Sequence, residues 1–131
     1  MTREVFTEID HNYVNPLSDQ YIKEIEASMS DYKKWNHQKR GYQNSYATFN
    51  EYMTWGLFNL YAKETYTPKQ LDTILNFQSN FMEESRKFVA FKAFSQQLTV
   101  LYEEQKRTTG TIEIEPLYPL MLKWMKTYSF K

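Results

Sequence analysis

The residues best placed to do chemistry come early. In the stretch VFTEIDHNYVNP, Val5 to Pro16, Glu8 precedes His11 by three positions and Thr7 precedes it by four. On a helix those spacings put all three on one side. With a histidine at position 7, two imidazoles could hold one Zn2+ while the Glu8 carboxylate took a proton from metal-bound water. Thr7 stands there instead, and a neutral hydroxyl is a poor ligand for Zn2+. The E-x-x-H pattern fixes two letters in four and also fits a plain solvated helix face.

A second carboxylate strengthens the pattern. In FNEYMTW, Glu51 follows His11 by forty residues and falls in the first turn of a later helix, where it could supply a further ligand. It also stands three residues after Thr48, which makes a capping box that needs no metal. Both uses stay open. Glu4, Asp10 and the loop histidine His37 are the other donors that could fill the place of Thr7, and none has ligand spacing.

Helices must position these groups. Val5, Ile9 and Tyr13 form one apolar row over Thr2 to Val14, and Asn15–Pro16 closes it. Ser18 reads as the N-cap of a second helix, with Leu17 and Ile22 as a staple and Ile25 and Met29 on its buried stripe. Asn36 to Ala47 reads as a loop, and Thr48 opens a third helix through Met53, Leu57 and Leu60. Thr67, Pro68 and Gln70 mark another start. The span from Pro68 to Arg107 is too long for one globular helix, so a break is expected near Glu84–Lys87. TTGTIEIEP reads as a turn with a short extended piece at Ile112–Ile114, and a last helix runs from Pro116 to Tyr128.

Composition sets the outer bounds. A chain of 131 residues fits one domain with a sizeable core. The absence of cysteine excludes disulfides and thiolate metal sites and leaves the compartment open. With 16 basic and 16 acidic residues, no net field draws the chain to nucleic acid or an anionic membrane. No apolar run approaches the roughly 20 residues of a membrane span, and MTREVFTEID reads as neither a basic leader nor an apolar one. Aromatic residues make up 18% against only 3 Gly and 4 Pro, which favours long helices packed through bulky side chains.

Taken together, EIDHNYVNPLSDQY resembles the motif of a bacterial family of zincin-like metallopeptidases. In that family an H-E-x-x-H helix runs into a short aromatic and apolar stretch and then Asn-Pro. The matching positions are Glu8, His11, Tyr13, Val14, Asn15 and Pro16. The resemblance continues through NEYMTW, where the family has a helix bearing an Asn-Glu pair, and through PLYPLMLKW. It covers most of the chain, with its specificity concentrated in the first sixteen residues and Asn50–Glu51.

The resemblance implies Glu8 as general base, His11 and Glu51 as Zn2+ ligands, and Asn15 as a group that orients the helix end or the imidazole. It implies a peptide or protein as substrate or partner. Two departures qualify it: Thr7 replaces the first histidine, and zincins place a β-sheet before this helix, whereas the chain begins at it. The expected fold is therefore all-α, five to six helices in a single domain over residues 1–131, resembling the helical C-terminal half of such an enzyme and forming part of a longer protein. The expected function is a metallopeptidase-related domain left weakly active or inactive by its degenerate motif. The alternative is a non-enzymatic helical protein-interaction module on the same scaffold.

Two further patterns have simpler uses. Lys33, Lys34, Lys39 and Arg40 interleave with Trp35 and Tyr42, a mixture that can stack single-stranded nucleic acid, but one short basic loop in a neutral chain reads as solvated. Phe77, Phe81, Phe88, Phe91 and Phe94 fall near helical spacing and read as core, while any ring left on an outer face would mark a partner or homodimer surface.

Overall fold

A computed structural model describes residues 14–111 and 113–130. Among them are six α-helices and no strand: α1 Asn15–Gln20, α2 Ile22–Ser28, α3 Ser45–Thr65, α4 Pro68–Asn80, α5 Phe91–Thr109 and α6 Leu117–Thr127. The all-α expectation holds. None of these helices is long and apolar enough to cross a membrane. The expected helix over Thr2–Val14, all but its last residue, and Ile112 of the expected extended piece lie outside the described residues.

Asn15–Pro16 opens α1, and the expected close of a helix before it lies outside the described residues. Val14 already has helical backbone angles, and Pro16 sits in the first turn of α1, where its missing N–H has no intrahelical acceptor to lose. Ser18 is accordingly not an N-cap. It lies buried inside α1 and shares a 3.0 Å hydrogen bond with the hydroxyl of Tyr118, which also donates to the Val14 carbonyl at 3.0 Å. The expected second helix is broken at Tyr21; Ile25 and Met29 of its stripe are buried, while Ile22 of the expected staple is exposed.

The start of α3 also differs. Asn44 is the N-cap, its side-chain oxygen accepting from the Ala47 N–H at 2.7 Å, so the helix begins three residues before Thr48. The Thr48 hydroxyl instead donates to the Tyr42 carbonyl at 2.9 Å. Glu51 therefore stands in the second turn and completes no capping box. By contrast, Thr67 and Gln70 form both bonds of the box at the head of α4.

From α4 the chain runs into a π-helical turn, Phe81–Ser85, and breaks at Arg86 and Lys87, as the length of the apolar stretch required. Gly110, in the left-handed region at φ 73°, ends α5.

Helix α3 is the central element and packs on α2, α4 and α5, while α6 covers α2 and α5. It is buried on nearly every side, as a helix must be when neighbours surround it. Gly56 lets α5 approach closely: a Cβ there would lie 2.8 Å from Leu98 Cδ2 and 3.2 Å from Phe94 Cε1. Aromatic edges fill the joint, with Tyr52 against Phe88 at 5.3 Å and Phe49 against Tyr118 at 5.5 Å.

Candidate functional site

Of the residues singled out by spacing, Thr7, Glu8 and His11, with the alternatives Glu4 and Asp10, lie outside the described residues. Asn15, His37 and Glu51 are described. Asn15 and the Asn50–Glu51 pair are brought together: Asn50 Nδ2 donates to Asn15 Oδ1 at 2.8 Å across 35 residues of sequence. Asn50 is buried and Asn15 half-buried, and Asn50 Oδ1 itself is buried without a hydrogen-bond partner. His37 keeps its side chain exposed and uses its backbone N–H on the Lys87 carbonyl at 2.9 Å.

Glu51 is buried within α3, and a buried carboxylate needs a compensating donor or cation. It has both. Trp55, one turn later, donates its indole N–H to Glu51 Oε2 at 2.8 Å, and Arg86 Nη1 reaches the same oxygen at 3.1 Å. The guanidinium lies over three rings, 5.3 Å from Tyr42, 5.8 Å from Trp55 and 5.4 Å from Phe88. Arg suits this setting because its planar, weakly hydrated cation can pair and stack at once.

Backbone in unusual conformations delivers the parts of this cage. Tyr42 and Lys87 are the two non-glycine residues with positive φ among the described residues, at 54° and 62°. Tyr42 is held by its carbonyl, which accepts from Asn36 Nδ2 at 3.1 Å and from Thr48. Lys87 turns the chain away directly after Arg86. A clasp fixes the two segments: Gln38 Nε2 donates to the Arg86 carbonyl at 2.6 Å, and Val89 N–H to the Trp35 carbonyl at 3.3 Å. Non-glycine residues at positive φ and π-helical turns both gather at functional sites, and here Arg86 stands between the π-helical turn and Lys87.

Beneath the cage, the buried Tyr52 hydroxyl donates to the Trp35 carbonyl and accepts from the Ala90 N–H at 3.3 Å. Burial pushes its phenol well above the ordinary tyrosine range. The interleaved basic segment behaves differently from a stacking platform. Trp35 is buried against Tyr128 and Phe130, and Tyr42, though exposed, has one face under the Arg86 guanidinium, so the two rings do not form a shared outward platform for bases.

Whether this setting suits a divalent metal turns on its donors. Zn2+ takes imidazole, thiolate or carboxylate, three or four together. Among the described residues no three His, Asp or Glu side chains gather, and Glu51 already meets the positive charge of Arg86. The described donors by themselves do not fit a zinc ion. Sequence reasoning missed Arg86. Trp55, at i+4 from Glu51, was a visible neighbour, but Arg86 is joined to Glu51 only through the fold. Compared with family profiles, curated proteins and solved structures, the chain matches none.

Proposed function

We propose that this chain is a zincin-like metallopeptidase-related helical domain, weakly active or inactive toward peptide bonds. The reading rests on the sequence resemblance, and one structural observation supports it. The Asn15–Asn50 hydrogen bond at 2.8 Å ties the segment directly following the E-x-x-H residues to the pair that carries Glu51. The reading calls for the segment after His11 to lie beside the helix of Glu51, and this bond joins the two. In this reading His11 and Glu51 are the metal-binding residues, Glu8 the general base and Asn15 the group that fixes the helix end. Thr7 withholds one ligand and Arg86 competes for another, which accounts for weak activity or none.

The test is metal content after zinc exposure and desalting. The natural chain is expected to retain well under one zinc per molecule, and Thr7→His to retain one, lost again in T7H/H11A and in T7H/E51A. A Thr7→His protein that stays metal-free overturns the reading.

A second reading, a non-enzymatic protein-interaction module, is favoured by one feature. Phe77 is 70% exposed and stacks on the half-exposed Phe81 at 6.2 Å, an apolar pair on the outer side of a helix that buries little else. A partner protein or a second copy of the chain would cover it.

A further inference from the structure

We propose that the cleft between α4 and α5 binds a short free peptide of about three residues, its ammonium end at Asp72 and its carboxylate end at Lys92, over a floor set by Asn59. Both helices pack on α3 and leave between them a cleft of about 460 Å³, within the range of small-ligand sites. Glu51 is not among its lining residues.

Three observations carry the proposal. The first is an unmet acceptor. Asn59 on α3 is 4% exposed and lines the cleft; its Nδ2 donates to Ser95 Oγ at 2.8 Å, while its Oδ1 is buried with no hydrogen-bond partner among the described residues. A buried carbonyl left unmet is costly, so the position calls for a donor from a ligand. The second is a pair of opposite charges with nothing to neutralise them. Asp72 and Lys92 are exposed, line the same cleft and stand in none of the ion pairs among the described residues. The third is their placement. The lining positions run from Asp72 to Ser79 on α4 and from Lys92 to Val100 on α5, about 10–12 Å of axis on each helix. The Lys92 N–H donates at 2.6 Å to Glu83 Oε2 in the turn that follows α4, so Lys92 lies at the Ser79 end of the cleft and Asp72 at the other.

A ligand that answers all three is extended, carries a cation at one end and an anion at the other, and donates hydrogen bonds between them. Three residues of extended peptide with free termini cover about 10 Å and have that chemistry. Asn76 and Gln96, on the two facing walls, each offer an amide donor and acceptor to the peptide units between. A single amino acid is too short to reach both charges. A polyamine would set a cation against Lys92, and a dicarboxylate an anion against Asp72.

The test titrates trialanine into the isotopically labelled full chain, followed by nuclear magnetic resonance. The Asn59 side-chain amide is expected to shift and to saturate at one peptide per chain. Asp72→Asn and Lys92→Gln, both at exposed positions, are each expected to weaken binding about fivefold. N-acetylated trialanine should lose the same factor on the natural chain and nothing further on Asp72→Asn, and the C-terminal amide should behave likewise toward Lys92→Gln. No saturable shift, an Asn59 resonance that stays still, or blocked peptides that bind as well as the free one would each overturn the proposal and leave the cleft to water.

Discussion

Helices α3 and α4 meet at Tyr66–Thr67 and yet belong to different environments. Most of α3 is buried, including Asn50, Glu51, Thr54 and Asn59, whereas α4 buries Gln78 alone. The apolar face of α4 meets the core through the partly buried Ile74, and Phe77 near its end faces outward. Polar groups inside α3 are each costly unless met, so their presence marks where the fold has a use for them. Rings outside α4 cost little to keep, so their presence marks a face open to change. The contrast separates a helix that builds a site from one that can only present a surface.

The largest effect should come from the seam that seats α3. Phe94 on α5 is fully buried, 5.1 Å from the Tyr52 ring and 6.2 Å from Trp124. Phe94→Ala removes the ring that packs over Gly56, a residue with no side chain of its own to take up the space. A loss of about 3–5 kcal/mol is expected, read as a fall in the urea midpoint with an unchanged slope. A loss under about 1 kcal/mol would mean that α3 is no more tightly seated than α4.

Tyr52→Phe tests the polar floor of the cage with the ring retained. Its hydroxyl serves the Trp35 carbonyl and the Ala90 N–H, so both buried backbone groups lose a partner, at a cost of about 1–3 kcal/mol. The same residue gives a pH signature. Burial raises the folded phenol above its unfolded value near 10, so its contribution is fully present below about pH 10 and falls as pH rises further. Denaturation midpoints followed from pH 7 to 11 should drop on the alkaline side in the natural chain, and less steeply in Tyr52→Phe. Parallel curves would place the alkaline loss elsewhere, Tyr102 being the next candidate because burial and the Glu64 carboxylate raise it too.

What the sequence made legible was local. Thr67, Pro68 and Gln70 lie within one turn, and their capping box forms as read. The break after Ser85 followed from length alone. The failures share the opposite property. Thr48 and Glu51 have the spacing of a capping box, but Asn44 upstream offered an equally good oxygen and the helix took the longer form. Ser18 has the pattern of an N-cap, yet it lies inside α1 and its hydroxyl meets that of Tyr118, 100 residues away in the chain. The same limit applies at the site. Glu51 stood out by type and spacing, but its partner Arg86 arrives over 35 residues of chain and through two positive-φ turns that no local pattern announces.

The smallest effect should fall on α4, and its smallness is informative. Phe77→Ser replaces a ring that is 70% exposed and touches chiefly Phe81. Surface changes of this kind shift stability by about 0.5 kcal/mol or less, so the urea midpoint should hardly move. If the ring pair serves a second copy of the chain, the same substitution should shift sedimentation toward the monomer while the melting curve, taken below the association range, stays in place. A stability loss above about 1.5 kcal/mol would show that Phe77 supports α4 from outside. The contrast between a helix that builds and a helix that presents would then fail on its exposed side.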